Sequence, residues 1–421
     1  MVNKLKYPIG FYLASIIIIL YTWRLVPFGN FFNVFLFISL IIGLKNNFFK
    51  FLKLRKIPVW LFYILLGILI SIIFNVYSIG SFSALYKSNS EYTSLRYKSI
   101  IEGIGLFIIL IININSKKGF EKFIKIFTHF GIFTLIIWIL GISEPLINIL
   151  GFERYDELFQ LTTSNYSMTR ETFETLDENT FGSICCLLFL FCSHFILFSK
   201  KKIIYIIGAL LILYSIFLTV SRTISIRLIF QTLIYLSFTG NLKIKNIIVF
   251  FIVSLPFIFI FYINNPLEII LYRFTESFYN IIEWRETGIL TSRDSFQYRL
   301  VRSLLGVPET FSGWIFGSGG VQTARFGKSA DHIEYTNWLW QYGLITFIPL
   351  ILFLLSIIKK SLTIINRKNS KEIKSILASN MAIISGMMIS MIANPQFYYL
   401  WITLSITSLT IYIYDEKKSI T

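Results

Sequence analysis

Four residues in this 421-residue chain stand out for the chemistry that their types and settings allow. Arg222 lies in Leu218-Thr-Val-Ser-Arg-Thr-Ile224, at the junction of two apolar stretches, while Arg299 and Arg302 lie three residues apart in a long segment that is polar by comparison. A guanidinium is a planar, permanently charged fork that holds phosphate or carboxylate through paired hydrogen bonds. Two forks three residues apart share one helix face and can clamp a single diphosphate; the simpler reading is a solvated basic face. The fourth residue, His332, has acidic neighbours in Asp331-His-Ile-Glu334. In that setting an imidazole titrates near neutrality and can act as a general base.

A second set of residues surrounds these. Arg227 falls inside an apolar stretch, where a charge costs a few kcal/mol unless it is paired or faces a wet cavity, so a paired or functional role is its default. Arg170 precedes the run Asp177-Glu-Asn179, whose three residues suit the first turn of a helix. Capping accounts for those three and leaves Arg170 available to a ligand. Arg293 opens the helical stretch 293–305, where Ser295, Arg299 and Arg302 share a face beside Phe296, Leu300 and Leu304. Cys185, Cys186 and Cys192 lie in one apolar block with spacing that fits neither a disulfide nor a metal, and they read as packing or lipid-facing residues. His129 and His194 also lie in apolar helices and read as packed or hydrogen-bonded. No metal site and no cofactor is expected.

The elements that must position these residues are membrane helices. Hydrophobic residues make up 55% of the chain and charged ones 14%, and the apolar residues fall in blocks long enough to cross about 30 Å of hydrocarbon. Only a helix or a closed barrel satisfies its backbone there, and blocks of this length indicate helices. The expected fold class is all-α, a polytopic integral membrane protein with about 12 transmembrane helices. The expected spans are 9–28, 31–44, 57–78, 99–114, 123–142, 179–198, 203–220, 224–239, 247–264, 337–358, 375–394 and 398–414. The first block reads as a retained helix, since it lacks a small-residue cleavage site.

Twelve spans put both termini on one side. With the termini cytoplasmic, every short inner loop carries a lysine cluster, as in 45–56, 117–122, 200–202, 243–245 and 359–374. This pattern accounts for most of the net charge of +17 and removes the case for nucleic acid. The opposite face receives loops 79–98 and 143–178 and the very long loop 265–336. The chain thus divides into 1–264 with nine spans, the loop 265–336, and 337–421 with three spans and a short tail. Within the long loop, 265–284 places Ile270, Phe274, Phe278 and Ile281 at helical spacing and reads as a helix lying on the membrane. Of the 14 arginines only Arg55 and Arg367 fall inside, while of the 25 lysines only Lys87, Lys98 and Lys328 fall outside. Topology needs positive charge but not a fork, so the outer arginines point to an anionic ligand at that face. Pairing with the 17 outer carboxylates is the alternative for any single arginine.

The order of these pieces resembles the bacterial O-antigen polymerase and ligase superfamily. The resemblance is carried by a helix ending in Ser221-Arg222, a long outer loop bearing arginines, the turn Ile315-Phe-Gly-Ser-Gly319, and then His332 leading to Gly343-Leu-Ile345. It covers roughly 170–345. Two departures stand out: Ile333 follows His332 where the family commonly has asparagine or serine, and Arg293, Arg299 and Arg302 compete for one family arginine.

The resemblance implies a metal-independent, inverting glycosyl transfer at the outer face of the bacterial inner membrane. Donor and acceptor would be undecaprenyl-diphosphate-linked glycans, joined into an O-antigen or capsule, with membrane lipid and a chain-length regulator protein as further partners. His332 would be the base, and Arg222 and Arg299 would carry the diphosphate. Arg170, Arg227, Arg293, Arg302, Glu334 and Tyr335 would be substrate contacts. A ligase moving finished glycan to lipid A core or protein shares this chemistry. A flippase for lipid-linked oligosaccharide is the expectation from another class, disfavoured by the lack of an internal repeat and by the one-sided long loop.

Overall fold

A computed structural model of the protein describes residues 7–23, 38–39, 41–42, 57–79, 92–114, 116–139, 154–160, 167–173, 178–219, 221–240, 275, 310–317, 333–392 and 397–415. Among them are twelve helices: α1 (Ile9–Thr22), α2 (Ile57–Ile79), α3 (Tyr92–Asn113), α4 (Lys117–Ile139), α5 (Glu178–Phe198), α6 (Lys202–Leu218), α7 (Arg222–Phe238), α8 (Phe311–Phe316), α9 (Glu334–Tyr342), α10 (Leu344–Arg367), α11 (Lys371–Ser390) and α12 (Phe397–Tyr414). Between α4 and α5 the strands β1 (Arg154–Gln160) and β2 (Ser167–Phe173) pair as an antiparallel hairpin.

Three helices, α5, α10 and α11, are long and apolar enough to cross a membrane, and shorter apolar stretches of 10–17 residues lie in α1, α2, α3, α6, α7 and α12. The centre of the bundle is α5 and α12, in which residues 180–192 and 399–411 are buried on every side. A helix apolar all round belongs in such an interior. The outer helices are the reverse of soluble ones, with large apolar side chains exposed in stripes: Val59, Phe62, Leu66, Leu69 and Ile73 on α2, and Ile226, Ile229, Phe230 and Leu233 on α7.

Where lipid supplies no hydrophobic drive between helices, small residues and interhelical hydrogen bonds hold them together. Asn380 of α11 donates to Ser361 Oγ of α10 (3.0 Å) and to the Thr407 carbonyl of α12 (3.2 Å). His194 Nδ1 of α5 and the Tyr235 hydroxyl of α7 both meet Ser375 Oγ of α11, at 3.0 and 2.7 Å. His194 is therefore hydrogen-bonded and His129 is stacked on Tyr205 (centroids 5.4 Å apart), in keeping with their sequence reading. The three cysteines are free and fully buried, which selects packing over lipid contact.

Several expectations are corrected. The helical class stands, with one addition: loop 143–178 contains the β hairpin, whose polar, alternating residues are invisible to a search for apolar blocks. Span 337–358 is not one helix. Gly343, at φ +70°, ends α9, and α10 then runs to Arg367. Both sides of that break are apolar, so hydropathy does not register it. α3 and α4 begin at Tyr92 and Lys117, earlier than the expected 99 and 123, since their first turns are helical yet polar. Nor do the twelve helices map onto the twelve expected spans: α8 and α9 are short, 247–264 lies outside the described residues, and 31–44 is described only at 38–39 and 41–42. The expected helices at 265–284 and 293–305 also lie outside the described residues, apart from Thr275.

The bundle has two distinguishable ends. α5 begins and α11 finishes at the end where the hairpin lies, the hairpin end. At the other, the lysine end, α5 finishes and α4 and α11 begin, with Lys117, Lys118, Lys122, Lys200–Lys202, Lys371 and Lys374 close to the helix termini.

Candidate functional site at the hairpin end

The chain reverses between α6 and α7 at Ser221, an extended residue that precedes the first turn of α7. Its hydroxyl donates to Asn179 Oδ1 at the start of α5 (2.8 Å), so the two helix starts are tied together. Arg222 is the first residue of α7; its side chain lies outside the described residues. An anion beside it would also meet the partial positive charge of the helix N-terminus.

Arg227 follows on the same helix and is fully buried. Its Nη1 donates to Ser183 Oγ of α5 (2.8 Å) and to Ser390 Oγ of α11 (3.3 Å), and its guanidinium carbon stands 4.4 Å from the centroid of the Tyr399 ring on α12. Hydroxyl dipoles and an aromatic face are the means by which a charge is held inside an apolar bundle. Arg227 thus joins α5, α7, α11 and α12 near the end that carries Arg222. Its partners here belong to the protein itself, which is the paired role that its position in an apolar stretch allows.

The last turn of α11 leads to a second junction. The Glu334 amide donates to the Met391 carbonyl (3.0 Å), and the Tyr335 hydroxyl donates to the Met388 carbonyl (2.8 Å). Glu334 is fully buried, and its Oε1 accepts from Trp338 Nε1 one turn further along α9 (2.7 Å). Trp338 in turn lies against Tyr342 and Trp401. Glu334 and Tyr335, expected in the loop as substrate contacts, are in the first turn of α9 and fasten it to α11. His332 lies outside the described residues; the residue after it, Ile333, precedes the first turn of α9. Arg293, Arg299 and Arg302 also lie outside the described residues.

Two glycines bring the remaining motifs together. Gly317, which ends α8, has φ +75°, and Gly343 has φ +70°, a region that side chains with a Cβ enter at a cost. A Cβ on Gly317 would strike the Gln341 carbonyl, and one on Gly343 would strike the Ile315 carbonyl, so the two turns pack backbone to backbone. Phe316 stacks on Phe74 of α2 (4.5 Å), and Ser71 of α2 donates to the Gln341 carbonyl (3.2 Å). The motif Ile315-Phe-Gly and the motif Tyr342-Gly-Leu, 26 residues apart by their glycines, are therefore halves of one joint.

The hairpin completes this end. Strand β2 touches α5 and α6, and the register sets Arg170 opposite Glu157. The backbone carrying Arg170, the start of α7 carrying Arg222 and the start of α9 are thus gathered at one end of the bundle. Sequence reasoning missed Ser183, Ser390 and Tyr399, the partners of Arg227. A serine in an apolar span signals an interhelical hydrogen bond, but not its partner, which here lies up to 163 residues away. No protein-family model matches the chain, and no curated protein matches it.

Proposed function

We propose that this protein is a membrane glycosyltransferase that joins undecaprenyl-diphosphate-linked repeat units into a surface polysaccharide. The observation that supports the reading is the convergence at the hairpin end: the strand bearing Arg170, the helix start bearing Arg222, and the junction that begins directly after His332 lie together. In the proposed orientation an even number of spans leaves both termini in the cytoplasm, and the hairpin end faces outward from the bacterial inner membrane.

The chemistry follows from the residue types. The acceptor sugar hydroxyl attacks the anomeric carbon of the donor glycan from the face opposite the diphosphate. The new carbon–oxygen bond forms as the bond to the diphosphate oxygen breaks, with inversion. His332 takes the hydroxyl proton, which raises the nucleophilicity of the oxygen as it attacks. The departing lipid diphosphate gains negative charge, and arginine forks stabilise that charge as it develops. Arg222 and Arg299 fill this role, with Arg170, Arg293 and Arg302 as supporting contacts. Glu334 and Tyr335 serve the reaction by fixing the start of α9.

The test is the surface-polysaccharide ladder of cells lacking the gene, complemented with wild type, His332→Ala or Arg222→Ala. Wild type extends a single-repeat band to long chains, and both variants leave the single repeat. A full ladder from both variants, at normal protein levels, overturns the mechanism. Purified protein given only lipid-linked repeats elongates them; a strict need for a second acceptor would make it a ligase instead.

A further inference from the structure

The lysine end carries a feature that the proposed reaction leaves unused. Along α4 the residues Lys118, Lys122, Lys125, His129 and Phe133 are all exposed and recur every three or four positions, so they form one stripe from the helix start inward. Lys117 is turned elsewhere: its ammonium lies 3.6 Å from Glu121 and over the Tyr414 ring. Among the described residues, none of Lys118, Lys122 and Lys125 pairs with a carboxylate.

The neighbouring helix fixes the geometry. His129 stacks on Tyr205 at 5.4 Å, and a Cβ on Gly208 would strike Ile132. Both contacts pair a residue of α4 with the residue 76 further on in α6, so the two helices run side by side in the same direction. This register sets Lys125 level with Lys201, which is also exposed and directly precedes α6. Lys122 and Lys118 then stand roughly 5 and 10 Å further out along the axis of α4, at 1.5 Å per residue. Inward of the lysines, which on α6 include the exposed Lys202, the described residues of the same two helices expose His129 and otherwise apolar side chains: Phe133, Ile203, Ile204, Ile206 and Ile207, at 57, 71, 42, 40 and 52%.

We propose that Lys118, Lys122, Lys125 and Lys201 form a binding site for the phosphates of an anionic phospholipid, whose acyl chains lie on the apolar side chains that α4 and α6 expose inward of them, Phe133, Ile203, Ile204, Ile206 and Ile207. A lysine stripe on α4, with Lys201 at the foot of α6 level with Lys125 and exposed apolar side chains inward of both, matches the division of a phospholipid into charged head and hydrocarbon tail. Four lysines within about 10 Å favour a lipid with two phosphates, such as cardiolipin, over one with a single charge. Topology asks only that the lysines be on this side. It does not ask that they align on one stripe above apolar surface while Lys117 is engaged elsewhere. The site stands independently of the transferase reading.

The experiment is thermal unfolding of the purified full-length chain in a neutral detergent, with cardiolipin, phosphatidylcholine or inorganic phosphate added. Cardiolipin raises the wild-type midpoint in a saturable way, while phosphatidylcholine and millimolar phosphate do not. Lys125→Gln/Lys201→Gln weakens the apparent cardiolipin affinity about tenfold or more, from two lost lysines near a charged headgroup, and Lys368→Gln/Lys371→Gln, which removes equal charge elsewhere at this end, leaves it unchanged. Lys122→Gln gives an intermediate loss and serves in place of the double variant if that variant does not fold. An unchanged cardiolipin response in Lys125→Gln/Lys201→Gln and Lys122→Gln overturns the site, as does an equal loss in Lys368→Gln/Lys371→Gln. A response to phosphatidylcholine overturns headgroup recognition, and a response to phosphate alone overturns the lipid in favour of a free anion.

Discussion

The two ends of the bundle treat positive charge in opposite ways. At the hairpin end Arg227 is wholly buried, held by two serines and a tyrosine ring from three other helices, and Glu334 is wholly buried on the Trp338 indole. At the lysine end the described charges are exposed or half-buried, and Lys117 forms a surface ion pair with Glu121. Orienting a charged group between helices costs desolvation, which topology alone does not require; a cluster of solvated lysines meets that need without the cost. The end at which the protein bears that cost is the end at which geometry matters.

The comparison is broken most directly at Arg227. Arg227→Ala removes a large side chain from a fully buried volume together with its hydrogen bonds and ring contact. The expected cost is about 3–5 kcal/mol, by analogy with large-to-Ala changes in cores, read as a fall in thermal midpoint of the detergent-purified protein. Arg227→Lys keeps the charge but not the fork, and is expected to recover part of that loss. If Arg227→Ala unfolds at the wild-type temperature, the arginine is not a fastener of these four helices.

Next in size is the double-glycine joint. Gly343→Ala must hold a Cβ at φ +70° and against the Ile315 carbonyl. A cost of about 1–3 kcal/mol is expected from the strained backbone, with more where the neighbouring backbone cannot yield. Limited proteolysis near 310–317 should accelerate as α8 loses its seat. Gly240, which also has positive φ but has nothing within 4 Å of its would-be Cβ, provides the comparison: Gly240→Asn should cost much less.

Glu334 separates charge from hydrogen bonding. Glu334→Ala leaves the Trp338 indole N–H without its carboxylate acceptor, at a cost of about 1–3 kcal/mol. Glu334→Gln keeps an oxygen there and should retain most of the stability. The environment of Trp338 supplies the readout, as a shift in tryptophan fluorescence for Ala and little for Gln. Equal losses in both would assign the residue an electrostatic role.

How much of this was legible in the sequence differs between the two ends. The lysine end was plain, because clusters such as Lys200-Lys-Lys202 follow from a one-dimensional rule about loop charge. The helices α2, α5, α6, α7 and α12 were located closely, since long apolar runs leave few other structures. Charged first turns hid the starts of α3 and α4, and the break at Gly343 was hidden because both of its sides are apolar. At the hairpin end Arg227 could be marked as costly, but its partners Ser183, Ser390 and Tyr399 come from three other helices. Their pairing is set by helix packing and leaves no local trace. Gly317 was legible as part of a turn and Gly343 only as part of a motif inside an expected span; that each glycine exists to admit the other is a property of the folded chain.

The smallest expected effect sharpens the contrast from the other side. Lys117 and Glu121 are 45 and 39% exposed at 3.6 Å, an i, i+4 pair in the first turns of α4. With lysine preceding glutamate the pair opposes the helix dipole, and water and salt screen it. Its contribution should fall at the low end of surface ion pairs, below about 0.5 kcal/mol. Lys117→Ala should therefore leave the thermal midpoint within error at 0.15 M salt, and the double variant with Glu121→Ala should show no measurable coupling. A loss comparable to that of Glu334→Ala would show that charge at the lysine end is also held in fixed geometry, and the division between the two ends would fall.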